Sequence, residues 1–320
     1  MNPALSGAAP APPRLPDPYT GEPSQLAFVA RDNRGLPGAF PYYRSPRGHL
    51  FIGAVPDNLG DHYAGGYQAI PATEAELATM AEGDAYRLDP VRALVPEGDF
   101  LEIGSWIGLV AYSAKRAGYR VHVLEREQRC IDLLQGAGIN AMRTDDPAQA
   151  LTESDRTYDV IGMWHSIEHL PRPWAVIEAA ARRLRPGGLL VIAAPNPESL
   201  QLKLLQEHWL HLDAPRHLHF LPAAMVEEIG ATNGLTLVER TTDDILARIV
   251  ERDAWNHEAF RQVRFLPIVS RIWRRMAFGH LSRKRRPGGF DGAGYTIMMR
   301  KDKPAHKAGR IETLRAMAKD

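Results

Sequence analysis

Two short stretches hold the residue types best suited to moving a proton. "WHSIEHL" (164–170) carries His165, Glu168 and His169, and "HWLHLDAPRHLHFLP" (208–222) carries His208, His211, His217 and His219. Imidazole titrates near neutrality, which makes histidine the natural general base at physiological pH. The H-x-x-H and H-x-H spacings of the second stretch also suggest zinc. No cysteine stands nearby and Asp213 is the neighbouring carboxylate, so no metal is expected. Glu168 and His169 fall where a helix would begin, and capping is a sufficient explanation for them.

A third stretch, "FLEIGSWIG" (100–108), closes an apolar run with Glu102 and turns at Gly104 and Gly108. Such glycines can serve backbone geometry alone. A turn that opens a helix also puts free N–H groups in front of a ligand. Glu125 ends the next apolar run, 21 residues after Gly104, about the spacing at which an acid grips a ribose diol. A dinucleotide fingerprint would need glycine at 104, 106 and 109. Trp106 and Leu109 occupy two of those positions, so close approach of a pyrophosphate is lost and a nicotinamide cofactor is not expected.

These residues need elements to position them. "DFLEIG", "YRVHVLE", "INAMRTD", "YDVIGMWH" and "LLVIAAPN" are apolar, strand-like runs. They are separated by helical patterns in "IGLVAYSAKRAG", "REQRCIDLLQGAG" and "PWAVIEAAARRLRPGG". Strands alternating with helices of this length predict a parallel sheet covered on both faces, with ligands beyond the carboxyl ends of the strands. "PAAMVEEIGATNG" then reads as helix, and "LTLVERTTD" and "AGYTIMMRK" as two further strands. Before the alternation, "TEAELATMAEGDAYRLDPVRALV" reads as helix, with Thr73 and Glu76 in a capping-box pattern.

"FLEIGSWIG" resembles motif I of the class I S-adenosylmethionine-dependent methyltransferases, with Trp106 in place of the middle glycine. "VHVLE" is similar to that family's second motif, and "YDVIGMWHSIEHLPRPWAVIEAAARRLRPGGLLVIAAPN" to its fourth strand, following helix and fifth strand. The resemblance covers about 98 to 242 and returns at the last strand. It implies an α/β fold, a Rossmann-like seven-stranded methyltransferase sandwich, and S-adenosylmethionine as cofactor. By position, Glu102 would orient the turn, and Gly104, Ser105 and Gly108 would present backbone to the cofactor. Glu125 would accept from both ribose hydroxyls, and Asp145 or Asp146 would lie near the adenine amine. Trp164 and His165 would line the methyl-donor end. "PRHLHF" resembles a segment of small-molecule and sugar methyltransferases that places a histidine over the acceptor. His217 is therefore the expected acceptor-site base or orienting group, with Arg216 beside it and His165 as the second catalytic candidate. "YYRSPRGHLFIGAVPDNLGDHYAGGY" keeps the outline of a zinc ribbon found before such domains. Arg44 to Gly48 stand where cysteines would be, and Tyr63 and Tyr67 are candidates to close over the substrate.

Bulk properties bound what remains. The 320 residues are 44% hydrophobic and 24% charged, with a formal net charge of +1, which excludes a general attraction to nucleic acid. The single cysteine, Cys130, rules out an internal disulfide and fits a cytoplasmic, reducing compartment. No apolar run reaches the ~18 residues of a membrane span. Residues 1–23 lack the pattern of a signal peptide and are expected as a disordered arm. A β-rich extension over 24–70, the catalytic domain over 71–301 and a polar tail over 302–320 are expected to follow. An insertion at about 244–292 contains the basic segment 261–286, with nine Lys/Arg and no acid. It suits either a packed amphipathic helix or a peripheral contact with anionic membrane. The chain is thus expected to methylate a small molecule or saccharide, lipid-linked acceptors included. The competing expectation is a non-catalytic protein of the same fold that binds a partner.

Overall fold

The computed structural model describes residues 14–63, 70–262, 276 and 289–303. Its N-terminal part is an antiparallel sheet of β1 (Leu15–Pro16), β2 (Pro23–Ala30), β3 (Phe40–Arg44) and β4 (Leu50–Ile52). The arm expected to run to Pro23 is therefore part of this sheet from Leu15, which pairs with Ser24. Asp17 fixes the intervening turn by accepting from the N–H groups of Tyr19 and Thr20. The positions compared with a zinc ribbon form the hairpin turn after β3, closed by the Ser45 N–H donating to His49 O.

After α1 (Glu74–Asp84) and α2 (Asp89–Leu94), the alternation proceeds as the sequence predicts. Thr73 Oγ1 accepts from the Glu76 N–H, and the Glu76 carboxylate reaches back to the Ala72 N–H. β5 (Asp99–Ile103), α3 (Leu109–Arg116), β6 (Arg120–Glu125), α4 (Gln128–Gly136) and β7 (Asn140–Arg143) lead to α5 (Pro147–Glu153). β8 (Tyr158–Trp164), α6 (Pro173–Arg183) and β9 (Leu184–Pro195) complete the parallel part. α7 (Leu200–Leu205) and β10 (His219–Phe220) precede α8 (Ala223–Thr232), β11 (Leu235–Thr241), α9 (Ile245–Gln262) and β12 (Gly294–Lys301).

The main sheet has the order β11-β12-β9-β8-β5-β6-β7, with β12 antiparallel to both neighbours. The order reverses at β5, whose neighbours are β6 and β8, so the crevice opens beyond their carboxyl ends. This is the seven-stranded, Rossmann-like sandwich that the motifs imply. Side chains alternate between its two faces. Leu101, Ile103, Ile161 and Met163 pack with α5, α6 and α8. Phe100, Val160 and Trp164 pack with α1, α3 and α4.

Two boundaries differ from expectation. The helix drawn through Gly188 stops at Arg183, because Pro186 lacks an N–H to continue it and Gly187 takes φ +86°. α5 was not foreseen, although Asp146 caps it by accepting from the Gln149 N–H and Pro147 opens it.

The β-rich extension is not a separate body. β10, drawn from beyond β9, pairs with β4 and forms the fifth strand of the N-terminal sheet. Tyr42, Leu50 and Ile52 share one core with Leu202, Trp209, Leu218 and Phe220. The basic segment 261–286, apart from Arg261 and Gln262 at the end of α9 and Met276, lies outside the described residues, as does Tyr67. Among the described residues no helix is long and apolar enough to cross a membrane.

Candidate active site

At the carboxyl end of β5 the alternation that sends Ile103 into the core sends Glu102 the other way, under α3. Its carboxylate accepts from the Ala111 N–H at 2.7 Å, and burial pushes it up to about 8. The chain then turns through Gly104 (φ +68°), Trp106 (φ +53°) and Gly108 (φ +70°), and Gly108 caps α3. Gly104 is required twice over. Its φ is left-handed, and a Cβ there would sit 2.6 Å from Ser166 Cβ. Ser166 Oγ donates to Ile103 O, clamping the turn after β5 to the turn after β8.

Glu125, at the end of β6, is buried. Its Oε2 accepts from the Trp106 N–H at 2.7 Å, and its Oε1 from the N–H groups of Arg126 and Glu127 at 2.7 and 3.0 Å. Trp106, which departs from the motif, therefore ties the glycine turn to this acid through its backbone. A carboxylate offers about four lone pairs, so three are engaged and one on Oε2 remains for a ligand. Ser105 is buried in the same turn.

Three expected positions sit differently. Trp164 does not line the crevice: its indole stacks on Phe100 at 6.1 Å and lies over Gly162, inside the core. Asp145 is exposed and pairs with Arg126 at 3.0 Å, and Asp146 caps α5 and pairs with Arg172 at 2.8 Å. Neither carboxylate is directed by a bond towards the glycine turn.

The histidine stretches meet at the other side of the crevice. His165 leaves β8 at φ +53°, its N–H held by Ala193 O. The short 3₁₀ turn Ile167–His169 follows, and Glu168 O accepts from the Leu218 N–H at 2.7 Å, which joins the two stretches. Glu168 does not cap a helix. It is 1% exposed, and neither carboxylate oxygen accepts a hydrogen bond from a described residue. His165 Nδ1 lies 3.4 Å from Oε1, and His217 Nε2 lies 3.9 Å from it. Burial pushes this carboxyl up, but the imidazoles of His165, His217 and His169 outweigh it and carry it down to about 2.

Only one of the four histidines in the second stretch faces Glu168. His208 is half exposed. His211 donates through Nε2 to Val250 O in α9, and His219 bridges His49 and Pro171 O. His217 donates through Nδ1 to His211 O at 2.8 Å, which leaves Nε2 as the atom facing Glu168. His169 approaches from the first stretch, its Nδ1 3.0 Å from Arg216 O and from the Tyr63 hydroxyl.

Arg216 is not an acceptor-site group. It is fully buried and donates all five of its N–H groups. Nε and Nη2 reach Asp213 at 3.0 and 2.7 Å, and Nη2 also reaches Asn33 at 2.8 Å. Nη1 reaches Asp32 at 2.9 Å and His62 O at 3.0 Å. Asp32 also holds His62 through Nδ1 at 2.6 Å. The N-terminal sheet is thereby fastened to the histidine segment at the residue beside His217. Sequence spacing alone could not have revealed this, because the partners lie more than 150 positions away.

A family model described as a methyltransferase domain matches residues 80–240, about half of the chain. The ubiquinone biosynthesis O-methyltransferase of Hahella chejuensis is 28% identical over 158 residues, covering 46% of this chain and 65% of that protein. The protein of the same name from Parvibaculum lavamentivorans is 35% identical over 113 residues, covering 33% and 44%. The chain thus spans less than two thirds of the length of either relative. Among solved structures, a SAM-dependent methyltransferase from Archaeoglobus fulgidus is similar at 18% identity and a TM-score of 0.46, covering 69% of this chain and 94% of that one.

Proposed function

The chain belongs to the methyltransferase-domain family, and on that premise we propose that it transfers a methyl group from S-adenosylmethionine to a hydroxyl oxygen of a small-molecule acceptor, saccharides and lipid-linked compounds included. The observation that carries the choice of oxygen is the buried, ionised Glu168 with His165 Nδ1 3.4 Å away. A hydroxyl must lose a proton as it is methylated, and a histidine backed by a carboxylate is suited to take it. The relatives that match are named as O-methyltransferases, which supports the same choice.

The cofactor half fits the residues present. Gly104, Ser105 and Gly108 present bare backbone at a turn where Gly104 leaves no room for a Cβ, and Glu125 keeps one lone pair on Oε2 for a ribose hydroxyl. A grip on both hydroxyls requires the Trp106 N–H bond to open. When bound, S-adenosylmethionine supplies an electrophilic methyl group on a sulfonium, so the protein's task is alignment, exclusion of water and removal of one proton. His165, 27% exposed at its side chain, is the more accessible imidazole and serves as base. With Nδ1 turned to Glu168, its Nε2 would take the proton that the acceptor hydroxyl loses on methylation, the methyl–sulfur bond breaking as the methyl–oxygen bond forms. Glu168 then faces the imidazolium. His217, pinned by His211 O and more deeply buried, orients the acceptor.

A panel of phenolic and saccharide acceptors, screened by mass spectrometry for gain of one CH2 on oxygen, tests this reading together with calorimetric titration of S-adenosylmethionine. His165→Gln should lower turnover ~10²–10⁴-fold and leave cofactor affinity nearly unchanged. A variant that keeps more than half of the parent's turnover removes His165 as the base. A parent that fails to bind S-adenosylmethionine overturns the whole reading.

A further inference from the structure

A buried carboxylate that no hydrogen bond satisfies is an expensive arrangement unless something else faces it. Around Glu168, one donor atom each from Glu168, His169 and His217 lie within 4.8 Å of one another, the only such set of three among the described residues. The two imidazoles are prepared in the same way. His217 Nδ1 donates to His211 O at 2.8 Å, and His169 Nδ1 donates to Arg216 O at 3.0 Å. Each ring is therefore fixed in the tautomer whose lone pair is on Nε2. Pinning the outer ring nitrogen on a carbonyl is how metal-ligating histidines are oriented.

Hydrogen bonding does not account for the arrangement. His217 Nε2, at 3.9 Å, is beyond hydrogen-bond reach of the carboxylate, and neither carboxylate oxygen has a hydrogen-bond partner among the described residues. A buried carboxylate beside two imidazoles whose outer nitrogens are already held by carbonyls is a donor set that a cation can satisfy.

We propose that Glu168, His169 and His217 form a binding site for a divalent first-row metal ion, zinc foremost. Two imidazoles and one carboxylate suit such borderline ions and leave coordination positions open. Around a tetrahedral ion, bonds of about 2.0–2.2 Å place donors about 3.3–3.6 Å apart, so a pair at the 4.8 Å limit of this set closes by somewhat more than about 1 Å on binding. The set is not the H-x-x-H or H-x-H pair suggested by spacing, since His211 and His219 are committed elsewhere. The absence of metal expected from sequence is revised accordingly. An open position beside His165 lets the ion hold and polarise the acceptor oxygen. That role rests on the methyl-transfer reading above; the binding itself does not.

The experiment uses the full chain, stripped with chelator and titrated with Zn²⁺ by calorimetry and with Co²⁺ by visible absorption. One ion per chain should bind saturably, and the melting temperature of the parent should rise with it. Removing an outer-shell partner typically costs ~10–100-fold in affinity. Glu168→Gln and His217→Ala should each therefore weaken binding more than ~100-fold, and the cobalt bands should disappear. His208→Ala, at an exposed histidine, should leave affinity unchanged. Should a variant prove unfolded by circular dichroism, His169→Gln and the parent's own stoichiometry and melting shift decide. No saturable one-to-one binding by the parent overturns the site, and so does a folded Glu168→Gln variant with the parent's affinity. S-adenosylmethionine binding without ion binding overturns the site and leaves the methyl-transfer reading standing. Ion binding without S-adenosylmethionine binding does the reverse.

Discussion

Replacing Arg216 by methionine keeps most of the volume and removes the cation from between two acids. Asp32 has a side-chain exposure of 0% and Asp213 of 11%, so neither regains water when the guanidinium goes. Asn33 and His62 O lose their donors as well. Breaking a buried ion pair from one side costs about 3–5 kcal/mol. With a urea slope of about 3 kcal/mol per M, the unfolding midpoint should fall by about 1–1.7 M. Lysine has three donors for five positions and should fall between parent and methionine. Adding Asp32→Asn to Arg216→Met should return part of the loss, because one of the stranded charges is gone. The Arg216 carbonyl also positions His169 and Tyr63. Turnover should therefore drop in the methionine variant while S-adenosylmethionine affinity, set at Gly104 to Gly108 and Glu125, changes little. A midpoint shift below about 0.3 M, equivalent to about 1 kcal/mol at that slope, would refute the view that this guanidinium holds the two parts together.

Glu125→Ala should weaken S-adenosylmethionine about 10- to 150-fold by calorimetry, the equivalent of about 1.5–3 kcal/mol for a charged acceptor. It should also loosen the turn, because the N–H groups of Trp106, Arg126 and Glu127 lose their partner; unchanged affinity would remove the assignment. Burial holds His169 and His211 down at about 4 and His219 at about 3. Their folded values lie below the unfolded value of about 6.5, so the stability they contribute is full above that pH and is lost as pH falls towards about 4. At ~1.4 kcal/mol per pH unit for each proton, urea midpoints should be clearly lower at about pH 5 than at about pH 7, and equal midpoints would contradict the burial argument. Glu102 has the opposite sign. Its folded value of about 8 exceeds the unfolded one, so it costs stability as pH rises through the interval between the two. Glu102→Gln should gain on the parent over that interval in thermal melts.

The alternating part of the fold was legible because each element carries its own signal within a few residues. Apolar runs end in Glu102, Glu125 and Trp164, and glycines punctuate the helices. The placement of Trp164 was also legible in hindsight. It shares strand parity with Val160 and Gly162, and a glycine two positions earlier leaves space for an indole on that face. α5 has its signal in Asp146 followed by Pro147, a cap and an opening proline, but the resemblance draws Asp146 towards the cofactor instead. What local pattern could not supply were facts made by distant partners. Glu168 looks like a capping residue until Leu218 and His217 are brought against it. Arg216 looks like part of an acceptor site until Asp32 and Asn33 claim its guanidinium. The stretch 14–23 looks unstructured until Asp17 meets His49 at 3.0 Å.

The strand that joins β4 also sets a schedule for the newborn chain. His49 and His219, in contact at 3.2 Å, are 170 positions apart, and β10 contributes the edge next to β4. At roughly 5–20 residues per second, a ribosome needs about 9–34 s to make that intervening stretch. Through that interval β4 has an unpaired edge, and Asp32 waits for its guanidinium. Such an edge is a template for pairing with another chain. Strands β1–β4, though they precede the parallel strands, gain their fifth strand only after those have been synthesised.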